Sequence, residues 1–310
     1  MANVLITSEF FGKFSKAGKQ LLLQAGHTVI DNPYGQKFLT PEEIIPHAGN
    51  ADAMVCDLEH ITKEVMDSAP NLKIISRRGV GVDSVDVAYA QEKGIAVART
   101  LGVVEPPVAE LVMAYILEFS RNISKLNQDM HNGIWFKRES SSVDQKTLGI
   151  LGMGKIAREV ARRACAFGMQ ILYYSLQRSE ACEREFGAVY APLDEVLSRA
   201  DFVTLHMPLN EQTRGMLSYE AIAKMKPSAY LINTARGAIV EEDGLYRALL
   251  EKKIAGAAID VYDCEPERDS RFRAFENVIL TPHVGTFTRE IFTRMDVLAA
   301  QNIIDFFARA

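Results

Sequence analysis

An α/β fold of two domains is what this sequence predicts, on three observations. Short apolar runs alternate with amphipathic stretches from end to end, the signature of strands joined by helices that cross back over a parallel sheet. A chain of 310 residues is longer than one hydrophobic core usually serves. A glycine loop, Gly152-Met153-Gly154, lies directly after a buried-strand pattern and before a helical one.

In order along the chain, the strand patterns VLITS, HTVID, AMVCD, KIISRR and IAVAR are separated by helical patterns such as KAGKQLLLQAG, whose closing Gly26 suits a helix C-cap. They make one small parallel-sheet domain. A long helical pattern from about Pro107 to Leu126 follows, then a loop with the only tryptophan, Trp135, and the segment ESSSVDQK. A second set of strands runs through TLGILG, QILYYS, AVY, DFVTLH, AYLINTA, AGAAIDV and NVILTP and builds a doubly wound sheet. The last helical stretch, from Arg289, is apolar at Ile291, Met295, Leu298 and Ile303 but has no strand after it, so it is expected to return to the first domain. The second domain, residues 99–285, is then an insertion in the first, residues 1–98 with 286–310, and a ligand cleft is expected between them.

Composition narrows the function. With 48% hydrophobic and 24% charged residues the chain is globular, which excludes disordered, collagenous and coiled-coil classes. Lys+Arg 35 against Asp+Glu 40 gives a net charge of −5, and the pI is near 5.8, so no nucleic-acid partner is expected. Cys56, Cys165, Cys182 and Cys264 form no C-x-x-C pair, which points to a reducing compartment and to no disulfide framework or metal site. The opening MANVLITSEFF lacks a basic segment ahead of a long apolar one, and the run VAELVMAYIL is broken by Glu110, so no membrane partner and a cytoplasmic location are expected.

Gly152-Met153-Gly154-Lys155-Ile156-Ala157 matches G-x-G-x-x-A in the context a dinucleotide needs. Gly152 permits the tight turn, Gly154 lets the backbone approach a pyrophosphate, and small Ala157 lets helix and strand pack closely. About 20 residues on, NAD-binding loops place a carboxylate on the ribose diol. This chain has Ser175 there, with Arg178 three residues later, which tilts the expectation towards NADP(H) over NAD(H). Arg178 as a solvated loop residue and Ser175 as a neutral vacancy is the open alternative.

Arg236, Glu265 and His283 stand at strand ends of the second sheet, where such sheets bind ligands. Reduction of a carbonyl on an anionic substrate needs a cation to fix the carboxylate, a proton donor at the keto oxygen, and a group that keeps the donor charged. Arg gives a bidentate fork, His exchanges a proton near neutrality, and a carboxylate beside it raises the imidazole pKa by roughly 1 to 3. Taken singly, Arg236 reads equally as a loop cation, Glu265 as a turn residue and His283 as a core histidine. His206 reads as lining the nucleotide cleft or packing, and His27, His47, His60 and His131 carry no motif.

The glycine loop, DFVTLHMPLNEQTRGMLSYEAIAKMKPSAYLINTARG, AGAAIDVYDCEP, TPHVG and RRGVGVDSVD together resemble the D-isomer-specific 2-hydroxyacid dehydrogenases over nearly the whole chain. The resemblance implies a flavodoxin-like substrate domain with an inserted Rossmann domain, a homodimer, and reversible reduction of 2-keto acids to D-2-hydroxy acids by NAD(P)H. It makes Arg236 the carboxylate clamp, His283 the acid/base and Glu265 its partner. It places the backbone of Val80 and Gly81 on the substrate carboxylate, Lys155 and Ile156 on the pyrophosphate, and Asp260 at the nicotinamide amide. Pro208, Thr213, Thr234 and Gly285 join the cofactor-binding positions.

Two departures stand out: Arg99-Thr100-Leu101-Gly102 where the family commonly reads Asn-Thr-Pro-Gly, and Glu105 where a small hydroxyl residue is common. Within that family the chain resembles phosphoglycerate dehydrogenases and glyoxylate or hydroxypyruvate reductases. Acidic Cys56-Asp57-Leu58-Glu59-His60 argues against 3-phosphoglycerate, although Arg77, Arg78, Lys137 and Arg138 are candidate phosphate ligands. The alternative function is a nucleotide-sensing binding protein on the same fold, as in dehydrogenase-like corepressors.

Overall fold

The computed structural model describes residues 1–309. Strands β1 (Asn3–Ile6), β2 (Thr28–Ile30), β3 (Ala53–Cys56), β4 (Ile74–Arg77) and β5 (Ala96–Arg99) form a parallel sheet in the order β2-β1-β3-β4-β5. That is the flavodoxin-like order. β3 and β4 are buried along their whole length, as parallel strands covered on both faces must be. Alternate residues feed opposite cores: Val4, Ile6, Val55 and Ile74 pack with Leu22, Ala299 and Ile303, while Leu5, Met54 and Ile75 pack with Ile44 and Val65. The helix Arg289–Arg309 thus covers this first sheet, as its lack of a following strand implied. Gly18 makes the approach possible, since a Cβ there would lie 2.5 Å from the Asp296 carbonyl oxygen.

A second sheet contains β6 (Thr147–Leu151), β7 (Gln170–Tyr174), β8 (Val189–Tyr190), β9 (Phe202–Leu205), β10 (Tyr230–Asn233), β11 (Gly256–Ile259) and β12 (Val278–Leu280). All are parallel, in the order β12-β11-β10-β9-β6-β7-β8, a Rossmann arrangement whose order reverses between β6 and β9. Its two faces carry separate cores: Ala157, Val160 and Ala164 of helix Lys155–Ala166 pack with Ile150 and Tyr173 on one, and Leu151, Leu205 and Leu231 with Leu245 and Ile259 on the other.

The chain divides into one compact unit of Met1–Val104 with Thr286–Ala310 and another of Glu105–Gly285. The apolar pattern set the first crossing at residue 98/99. Residues 99–104 instead stay with the first unit, because Arg99 is paired in β5 with Arg77 of β4 and Val104 packs with Ile291 and Phe292. The single helix expected over Pro107–Leu126 is two, Glu105–Arg121 and Ile123–His131, broken at Asn122 with φ +53°. No helix among the described residues is long and apolar enough to cross a membrane.

Candidate active site

The glycine loop sits where β6 ends. Gly152 has φ +92°, and a Cβ there would approach Met207 to 2.6 Å and the His206 carbonyl carbon to 2.9 Å, so only glycine fits this turn. Its N–H donates to the Tyr174 carbonyl at 2.7 Å, tying the loop to β7. At Gly154, by contrast, a Cβ would meet nothing within 4 Å: the space above the first turn of helix Lys155–Ala166 is open. The N–H groups of Lys155 and Ile156 point out of that turn without helical acceptors, a cradle suited to a pyrophosphate. At the end of β10 the Thr234 hydroxyl is buried with no hydrogen-bond partner, a second feature that fits a bound dinucleotide. Thr213 acts locally, its hydroxyl donating to the Pro208 carbonyl at 2.7 Å and fixing the loop that carries both residues.

At the end of β7, Ser175 is half-buried and Arg178 is exposed. Arg178 is already engaged: Nε and Nη2 donate to Glu183 Oε1 and Oε2 at 2.7 and 2.9 Å. His206, after β9, lies 3.0 Å from the Thr204 hydroxyl, and desolvation pushes its imidazole down to about 3, so it stays neutral.

Arg236, Glu265 and His283 follow the C-terminal ends of β10, β11 and β12, and neighbouring parallel strands bring them together. His283 Nδ1 and Glu265 Oε2 are 2.6 Å apart. The other carboxylate oxygen of Glu265 accepts the Tyr262 N–H at 3.0 Å, which fixes its orientation. Burial pushes the Glu265 carboxyl up, but the hydrogen bond and charge of His283, the Tyr262 N–H and the Arg236 charge together carry it below the usual carboxylate range. An ionised Glu265 and an Nδ1–H donor leave His283 Nε2 to exchange a proton with a reacting oxygen. Arg236 is half-buried, with Nη1 donating to the Ala235 carbonyl at 2.7 Å.

His283 adopts φ +52°, a conformation that costs a non-glycine residue free energy and so needs enforcement. Asp260 supplies it. The Asp260 carbonyl accepts the His283 N–H at 2.9 Å, while Oδ1 accepts Val284 N–H at 2.8 Å and Oδ2 accepts Gly285 N–H at 2.9 Å. Burial pushes the Asp260 carboxyl up against these hydrogen bonds. Thr281 extends the network, donating to Asp260 Oδ1 at 2.6 Å and lying 2.5 Å from the Tyr115 hydroxyl. A Cβ at Gly285 would come within 3.2 Å of Asp260 Oδ2.

Val80 and Gly81 belong to the first unit, where their N–H groups donate to no other group among the described residues. Two amide donors in succession suit a carboxylate. The neighbouring Arg78 does not serve as a phosphate ligand: it is 2% exposed, with Nε on Asp296 at 2.7 Å and Nη1 on Asp57 at 2.5 Å. Arg138 is likewise taken, by Asp129 at 2.7 Å. Asp57, Asp296 and the buried Glu59, whose carboxyl burial and Asp57 push up, form a polar core that the sequence did not announce.

The profile of the "D-isomer specific 2-hydroxyacid dehydrogenase, NAD binding domain" family matches residues 113–285. A glyoxylate reductase of Korarchaeum cryptofilum is 40% identical over 271 residues, 85% of this chain and 82% of that protein. A hydroxypyruvate reductase of Thermotoga maritima is 35% identical over 294 residues, 93% of this chain and 94% of the relative. The crystal structure of a glyoxylate reductase from Paecilomyes thermophila superposes with a TM-score of 0.86 at 30% identity, covering 97% of this chain and 94% of that one. Fold, glycine loop and relatives agree: the chain belongs to the D-isomer-specific 2-hydroxyacid dehydrogenases, NAD(P)-dependent oxidoreductases of 2-keto and 2-hydroxy acids.

Proposed function

We propose that this enzyme reduces small 2-keto acids of the glyoxylate and hydroxypyruvate kind to their D-2-hydroxy acids, with His283 as the acid. The observation that carries the reading is the 2.6 Å contact of His283 Nδ1 with an ionised Glu265, beside Arg236, at adjacent strand ends. Arg236 clamps the substrate carboxylate through its fork, and the Val80 and Gly81 N–H groups are the substrate-binding donors of the first unit. His283 Nε2 donates its proton to the keto oxygen as C2 is reduced, and takes it back in the reverse direction. Glu265 stabilises the imidazolium and fixes the ring. Asp260 holds the His283–Gly285 loop and, at the same strand end, offers an acceptor to the nicotinamide amide. Bound over the glycine loop, NAD(P)H supplies the hydride at C4 of its nicotinamide. The first unit serves as substrate domain and the second as cofactor domain.

Four finer readings belong to the same proposal. Loss of Arg78 to Asp57 and Asp296 supports a non-phosphorylated substrate. Ser175 at the end of β7, where a carboxylate would repel a 2′-phosphate, supports NADP(H) as slightly favoured over NAD(H). Ile123, Met130, Ile134, Trp135 and Phe136 are large exposed apolar residues in one stretch, Trp135 at 81%, and support a homodimer formed through this segment; sedimentation at micromolar concentration checks it. Four free cysteines support a reducing, cytoplasmic setting. The experiment is an initial-rate series with glyoxylate, hydroxypyruvate, pyruvate and longer 2-keto acids under NADPH and NADH. Highest kcat/KM with the two- and three-carbon acids is expected; turnover confined to longer acids overturns the substrate reading.

A further inference from the structure

We propose that Glu183 is a specificity-determining residue of the cofactor site: by holding Arg178 in a bidentate pair it limits the use of a 2′-phosphorylated dinucleotide. The inference rests on the reading that the adenosine ribose lies at the end of β7, where Rossmann folds place it. A carboxylate is missing from that strand end, where Ser175 stands. The structure provides one from the following helix, Glu180–Phe186.

Glu183 is not a loosely swinging surface acid. Its Oε1 accepts the hydroxyl of Tyr173 at 2.8 Å, and that hydroxyl accepts the Ser179 N–H at 2.7 Å. Tyr173 is wholly buried, so the carboxylate is anchored to the core of the sheet. Arg178 then docks on a fixed partner through Nε and Nη2, the edge of the guanidinium that would otherwise grip a phosphate. The hydrogen bonds from Arg178 and Tyr173 hold the Glu183 carboxyl below the usual carboxylate range, so it is ionised at neutral pH. The remaining basic residue of this helix, Arg184, pairs with Glu180 at 3.3 Å.

Two consequences follow for a cofactor. A 2′-phosphate must share or break the Arg178–Glu183 pair, and in either case it stands near a fixed negative charge. A free 2′-hydroxyl is neutral and meets no such opposition. Glu183 thus sets how much of the positive charge of Arg178 reaches the ribose.

The test uses the wild type, Glu183→Gln, Arg178→Gln and the double variant, with NADP+ and NAD+ affinities measured by calorimetry beside kcat/KM for NADPH and NADH. Glutamine keeps an acceptor for Tyr173 but drops the charge. In Glu183→Gln, Kd for NADP+ is expected to fall about tenfold with Kd for NAD+ little changed, and the gain is expected to vanish in the double variant. An unchanged ratio of the two affinities, or a gain that survives loss of Arg178, overturns the inference. The wild-type ratio judges the NADP(H) preference separately. A wild type that prefers NADH, with a Glu183→Gln gain routed through Arg178, removes that preference and leaves the role of Glu183 standing. An NADPH-preferring wild type that does not respond to Glu183→Gln does the reverse.

Discussion

His283 combines a strained backbone, φ +52°, with a ring fixed by Glu265, and both restraints come from neighbouring strand ends. That division of labour gives an expectation with a definite sign. Against burial, the hydrogen bond and charge of His283 hold the Glu265 carboxyl below the usual carboxylate range, so the carboxylate is present at neutral pH and is lost only as pH falls through that lowered value. Glu265→Gln keeps the shape and drops the charge, and is expected to lower kcat for keto-acid reduction about tenfold or more with Kd for the cofactor little altered; a wild-type kcat in the variant would remove Glu265 as the partner. The placement of Arg236, Glu265 and His283 after neighbouring strand ends was legible in the sequence because their flanking strands were legible, and strand ends of a parallel sheet converge. Glu183 and Asp296 were not. The Arg178–Glu183 pair spans a loop and a helix start, and Arg78 meets Asp296 across more than two hundred residues, so neither pair leaves a local spacing to read.

At the scale of elements, the two glycines of the loop have separable tasks. Gly152 is required by the fold, through its positive φ and the closeness of Met207 and His206; Gly154 has open space around it and φ −81°, which any residue adopts. Gly154→Ala is expected to leave the thermal midpoint unchanged within about 1 °C while weakening NAD+ binding about tenfold or more, since the methyl occupies the approach of the pyrophosphate. Gly152→Ala is expected to weaken binding and also to cost about 1–3 kcal/mol of stability. Calorimetry and thermal melts on both variants check the contrast; equal loss of stability in both would refute it. Apolar runs revealed all five strands of one sheet and all seven of the other, because buried parallel strands are almost uniformly apolar. Helix interruptions were harder. Nothing apolar changes at Asn122, whose left-handed backbone alone splits the long helix, and the periodic pattern runs straight through it.

Over the whole molecule, the alternation of strands and helices revealed two units, with the C-terminal helix returned to the first. The polar core of the first unit was invisible to that pattern. Arg78, Glu59 and Asp296 read as surface charges in a sequence, yet they are buried near the strand ends of β3 and β4, with half-buried Asp57 paired to Arg78. Burial pushes the Asp296 carboxyl up to about 6 even with Arg78 against it. In the proposed mechanism His283 passes a proton to the substrate oxygen while the rest of the chain binds and orients. Single-turnover reduction of glyoxylate at saturating NADPH, compared between wild type and His283→Ala, tests it directly. The variant is expected to bind NADPH with unchanged affinity and to reduce glyoxylate about 10²- to 10⁴-fold more slowly. A His283→Ala enzyme that keeps the wild-type single-turnover rate would contradict it.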